Sequence, residues 1–147
     1  MAVSQSPMIV NFKSATTLST GSQYCVAWQT ADMTPGTVGV GDPATTAAAA
    51  KPVGVYYGDG TKSTSTDHDA IPVAISGILK LRCAASTVTA GEVLGMSSNG
   101  LGCTPTTNMW VIGRQVGGTS GAANHVVEVQ WYGGIPLIYS SRLISTT

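Results

Sequence analysis

The sequence predicts an all-β fold, a small β-barrel or sandwich with an extended N-terminal arm and a C-terminal tail. Helix signal is nearly absent, apolar residues alternate with period two in several segments, and glycine-centred turns punctuate the chain at regular intervals. Three parts follow from this: an arm over residues 1–23, a β-domain over 24–132 and a tail over 133–147.

The arm is rich in Ser, Thr and Gln and carries one apolar patch, Met8, Ile9, Val10 and Phe12. Tyr24, Val26 and Trp28 then alternate against Cys25 and Ala27, the period of a strand. The best helix candidate, Ala44 to Lys51, is pinned between Pro43 and Pro52 and reads as a loop with at most one turn. From Ile71 the odd positions Ile71, Val73, Ile75, Leu79, Leu81 and Cys83 keep one phase, which predicts a single long, half-buried strand. Gly77 falls on its inner face, where a bend or a close backbone approach is expected.

Residues Thr87 to Thr104 read TVTAGEVLGMSSNGLGCT. The turn at Ala90-Gly91 leads into an extended run from Val93, and Asn99-Gly100 offers the positive φ angles of a tight reversal, so a β-hairpin is expected. Val127, Val129 and Trp131 alternate with Val126, Glu128 and Gln130 in a further strand. The segments VGVYYG (53–58) and IGRQVG (112–117) echo each other and read as two similar hairpins in one small sheet or barrel. The tail opens on Gly133-Gly134 and continues IPLIYSSRLISTT, with Ile135, Leu137, Ile138, Tyr139 and Leu143 as candidate contacts to other subunits or to a partner.

At 147 residues the chain is one ordinary domain, long enough for a core without staples. Seven basic residues balance seven acidic ones, and charged residues are 10% of the chain against roughly 25% in soluble domains. That leaves no electrostatic footprint for nucleic acid or anionic lipid, and little protection against self-association. A homo-oligomer is expected. No basic-then-apolar leader opens the chain, and the stretch from Ala70 to Leu81 is too short and too interrupted to span a bilayer, so synthesis in a cytosol without membrane insertion is expected.

Candidate chemistry is sparse. Asp67-His68-Asp69 could ligate a metal or form part of an acid/base site, but neighbours in an extended chain point to opposite sides, and a solvated loop is the preferred reading. The glycine turn at 58–64 lacks the Gly-Lys-Ser/Thr ending of a phosphate loop, and no Gly-x-Ser-x-Gly elbow occurs. Cys25, Cys83 and Cys103 show no metal-ligand spacing and read as buried small hydrophobes. Trp28, Trp110 and Trp131 either line a sugar-binding face or, the preferred reading, pack in the core or an oligomer contact. No catalytic residue, metal or cofactor is expected, and the chain is not expected to be an enzyme.

The order of several short segments resembles the capsid decoration, or cement, proteins of tailed bacteriophages over about residues 38 to 131. These are Gly-Val-Gly-Asp (39–42), Lys-Pro-Val-Gly-Val (51–55), Ser-Gly-Ile-Leu-Lys-Leu (76–81), Val-Thr-Ala-Gly-Glu-Val-Leu-Gly (88–95), Val-Ile-Gly-Arg (111–114) and Val-Val-Glu-Val-Gln (126–130). The resemblance implies a structural virion protein, commonly a trimer, made in the host cytoplasm. It would bind the outer surface of an icosahedral shell and stabilise it against internal DNA pressure. The implied partners are the major capsid protein and copies of the chain itself. Relatives often grip the shell with a terminal arm, which makes Met8, Ile9, Val10 and Phe12 the candidate capsid contact. The longer loop at 58–70 and the apolar tail depart from shorter relatives. The competing reading is a head-surface adhesin binding host glycans through the tryptophans or the 58–70 loop.

Overall fold

The computed structural model describes residues 6–43, 49–58, 70–84, 90–106, 109–118 and 124–136. Its ten strands are β1 (Met8–Ser14), β2 (Val26–Gln29), β3 (Thr37–Val40), β4 (Lys51–Tyr56), β5 (Ala70–Ser76), β6 (Ile78–Arg82), β7 (Val93–Met96), β8 (Gly102–Cys103), β9 (Trp110–Gly117) and β10 (Val126–Pro136). Strands β1-β3-β2-β4-β5 close into a barrel, and β6-β10-β9-β7-β8 form a second sheet. The fold is all-β, as the periodicity predicts. One single-turn 3-10 helix, Thr20–Ser22, is the helical content among the described residues.

The long strand expected from Ile71 is two strands. The inner-face glycine, Gly77, takes φ +95°, which glycine adopts without a Cβ penalty, and the chain leaves the barrel there for the second sheet. Apart from half-buried Ile75, the odd-numbered apolar residues stay buried on both sides of the bend but serve different cores. Ile71 and Val73 fill the barrel with Cys25, Ala27, Val38, Val40 and Tyr56. Leu79, Leu81 and Cys83 join Leu94, Met96, Ile112, Val127 and Val129 in a core that also takes Val26, Trp28, Val55 and Ala74 from the barrel strands. Strand β2 thus divides its side chains between two cores, which is why Tyr24 to Trp28 is apolar on both faces.

Met8–Ser14, placed in the arm by its polar surroundings, is the first barrel strand. It pairs antiparallel with β5 from Met8 to Lys13 and parallel with β3 at Lys13 and Ser14. Val10 and Phe12 stand opposite Val73 and Ile71, and burial against that distant strand is what draws the segment in. At the other end β10 runs through 133–136, past the expected boundary of the tail.

The hairpin of β7 and β8 forms as expected, with one change of geometry. Gly100 alone takes positive φ (+71°), the Gly100 N–H donates to the Ser97 carbonyl at 3.0 Å, and the Ser97 N–H donates to the Leu101 carbonyl at 2.8 Å. A single left-handed glycine after an ordinary turn suffices for a reversal of this length.

The two sheets are copies of one topology. Taking β1 to β5 as equivalent to β6 to β10, each pairing recurs, including the parallel contact of β1 with β3, matched by a parallel bridge between Cys83 and Gly102. Register recurs too. Ala27 faces Gly54 before a bulge that sets Trp28 opposite Pro52, and Leu94 faces Gly113 before a bulge that sets Gly95 opposite Val111. Tyr56 faces Val73, and Gln115 faces Val129. The echo of 53–58 by 112–117 is the sequence trace of this duplication.

Candidate functional site

Of the residues expected to grip a partner, Met8 and Ile9 are 59% and 48% exposed and stand side by side at the start of β1. Val10 and Phe12 are half-buried, and Phe12 packs against the barrel core. The structure therefore splits the four-residue patch into an exposed pair and a part that serves the fold. Ile135 lies in β10 opposite Val111, while Leu137, Ile138, Tyr139 and Leu143 lie outside the described residues, as does Asp67-His68-Asp69. Two further exposed apolar side chains, Val126 and Tyr132, sit on β10. Alternation placed Val126 outward; nothing in the sequence marked Tyr132.

The β6 edge away from β10 is held by the first half. Lys80 N–H donates to Tyr57 Oη at 2.6 Å, and Arg82 N–H donates to the Tyr24 carbonyl at 2.8 Å. The rings of Tyr24 and Tyr57 meet edge to face at 5.3 Å, and Lys80 Nζ lies 5.7 Å from the centre of the Tyr24 ring. Burial, foremost, pushes the Tyr57 hydroxyl pKa up from its ordinary value. The cluster joins the two sheets and carries no nucleophile activated toward a substrate.

An open cleft of about 400 Å3 lies where the barrel rim meets the 97–101 turn, lined among others by Thr16, Ser19, Asp42, Asn99, Leu101 and Asn124. Its lining is uncharged except for Asp42, so it suits a neutral, hydroxylated ligand better than an anion.

Trp28 and Trp131 are core residues, and Trp28 Nε1 donates to the Gly41 carbonyl at 2.8 Å. They are not a sugar-stacking face. The three cysteines are free and buried. Desolvation raises the Cys83 and Cys103 thiols to about 11, which disfavours the thiolate that nucleophilic or metal chemistry requires. Among the described residues no three His, Cys, Asp or Glu side chains are grouped to hold a metal ion, and no helix is long and apolar enough to cross a membrane. No protein-family model matches the sequence, and no curated protein matches it to a significant degree.

Proposed function

We propose that this chain is a structural virion protein that binds the outer surface of an icosahedral phage capsid as a homo-oligomer, most simply a trimer, and stabilises the shell. It is not an enzyme on this reading. The observation that carries the proposal is the adjacent pair Met8 and Ile9, the most exposed large apolar side chains of the described residues, on a strand anchored in a closed barrel. Burial of each against the major capsid protein contributes roughly 1.5–3 kcal/mol before ordering costs. A symmetric oligomer multiplies such contacts. The order of glycine and strand segments resembling decoration proteins supports the same reading.

Removing residues 1–15 is not a clean test, because it deletes a barrel strand. The test is to add the purified protein, and a Met8→Lys/Ile9→Lys variant, to empty expanded shells of the encoding phage and image them. Wild-type protein is expected to give ordered density on the outer surface, with the variant at reduced occupancy. Bare shells with wild-type protein at micromolar concentration would sink the proposal.

The polar cleft, with Asp42 as its one charged lining residue, favours a second reading, a head-surface adhesin for host glycans. A glycan array decides it: hits that vanish in Asn124→Ala support the adhesin, and a blank array removes it.

A further inference from the structure

Resting on that reading for the identity of the partner, we infer that the open edge of β1, from Ile9 to Asn11, accepts an extended strand of the shell protein. The duplication supplies the argument. In the second half the equivalent of β1 is β6, whose outward N–H groups at Lys80 and Arg82, with that of Ala84 just past its end, are met by Tyr57 Oη and by the carbonyls of Tyr24 and Gly102. The matching register positions are Asn11 and Lys13 in β1 and Ala15 just past its end. Lys13 N–H donates to the Gly36 carbonyl at 2.9 Å and Ala15 N–H to the Val38 carbonyl at 2.8 Å. Beyond Lys13, β3 no longer accompanies β1, and among the described residues Asn11 has no counterpart of Tyr57. The first half covers the edge of the second; among the described residues nothing covers the edge of the first half beside exposed Met8 and Ile9.

A strand edge flanked by bare apolar side chains, with no charge before Lys13, is a template for strand addition. A second copy of this chain does not fit as the occupant by repeating the internal junction. The equivalent of Tyr57 is Val116, which has no hydroxyl, and the packing face made by Trp28, Val55 and Ala74 becomes Gly95, Arg114 and Gln130 in the second half. A second copy thus cannot extend the array by the internal junction, and the inference commits to a strand of the shell protein as the occupant.

Asn11→Pro tests the site. It removes the outward N–H, while the bonds to β5 belong to the alternate residues. With Asn11→Ala as control, both variants are expected to melt within a few degrees of wild type, and only the proline variant is expected to lose shell binding, by at least tenfold. A folded proline variant that binds like wild type overturns the inference. If that variant fails to fold, amide exchange in the wild-type protein decides. Ile9 and Asn11 should exchange fast in the free protein and be protected on shells. Protection in the free monomer overturns the open edge. Protection that appears only with concentration, alongside a dimer in sedimentation, overturns the assignment of the partner. If wild-type protein ignores shells altogether, the proposed function and the partner fall together, while fast exchange at Ile9 and Asn11 would still show the edge to be open.

Discussion

Tyr24 and Gly91 occupy the same place in the two halves of the chain, and both are left-handed, with φ +63° and +87°. Tyr24 N–H donates to the Tyr56 carbonyl, and Tyr56 N–H returns to Cys25; Gly91 N–H donates to the Gln115 carbonyl, and Gln115 N–H returns to Glu92. The turn geometry is common to both halves, and glycine meets it at no steric cost. A tyrosine there costs on the order of 1 kcal/mol of backbone strain. Its return is the carbonyl aimed at Arg82 and the ring laid against Tyr57, both of which tie the halves together.

The duplication makes a paired prediction. A Cβ at Gly54 would lie 2.2 Å from the Ala74 carbonyl oxygen, and one at Gly113 would lie 2.3 Å from that of Gln130. Both neighbours are backbone and cannot rotate away. Gly54→Ala and Gly113→Ala should each destabilise by about 1–3 kcal/mol or more in urea titrations. A neutral result at either position would show that the two hairpins are not equivalent.

Much of this was legible in the residues. Period-two alternation located β2, β5, β6 and β10, the inner-face glycine located the bend, and the echo of 53–58 by 112–117 is in structural register, Gly54 on Gly113. The full duplication was hidden because equivalent positions share backbone demands but differ in surroundings: Val55 is buried between the sheets, whereas Arg114 faces outward. The role of β1 was hidden because its partner, β5, lies some sixty positions away and local composition carries no trace of the pairing. Of the four-residue grip, hydropathy could not separate Phe12, which turns to the barrel, from Met8 and Ile9, which do not.

Strand phase on β6 gives a second prediction. Leu79 is fully buried, and its neighbour Lys80 is exposed. Leu79→Ala should cost about 2–5 kcal/mol. Lys80→Ala should cost under about 1 kcal/mol, the worth of an exposed cation–π contact. Equal losses at the two positions in chemical denaturation would contradict the phase.

Tyr57→Phe isolates the hydroxyl that closes the β6 edge. The ring contact with Tyr24 is kept, while Lys80 N–H loses its acceptor. The expected cost is about 1 kcal/mol, together with faster exchange of the Lys80 amide alone. Unchanged protection of that amide would mean that the edge is covered by something other than Tyr57.

The thiols predict an alkaline weakness. Cys83 and Cys103 have folded pKa values near 11 against 9.0, with desolvation as the leading cause. The charged form is disfavoured in the folded state, so the unfolded chain releases these protons first as pH rises. Stability is therefore intact below about pH 9 and falls through the window from 9 to 11, by at most roughly 2–3 kcal/mol per thiol. Cys25, also raised by burial, acts in the same direction. Urea midpoints between pH 7 and pH 11 should drop steeply in the wild-type protein and less steeply in Cys83→Ala/Cys103→Ala, whatever that variant loses at neutral pH from its smaller side chains. Parallel pH profiles for the two proteins would mean that the thiols are wet enough to ionise in place.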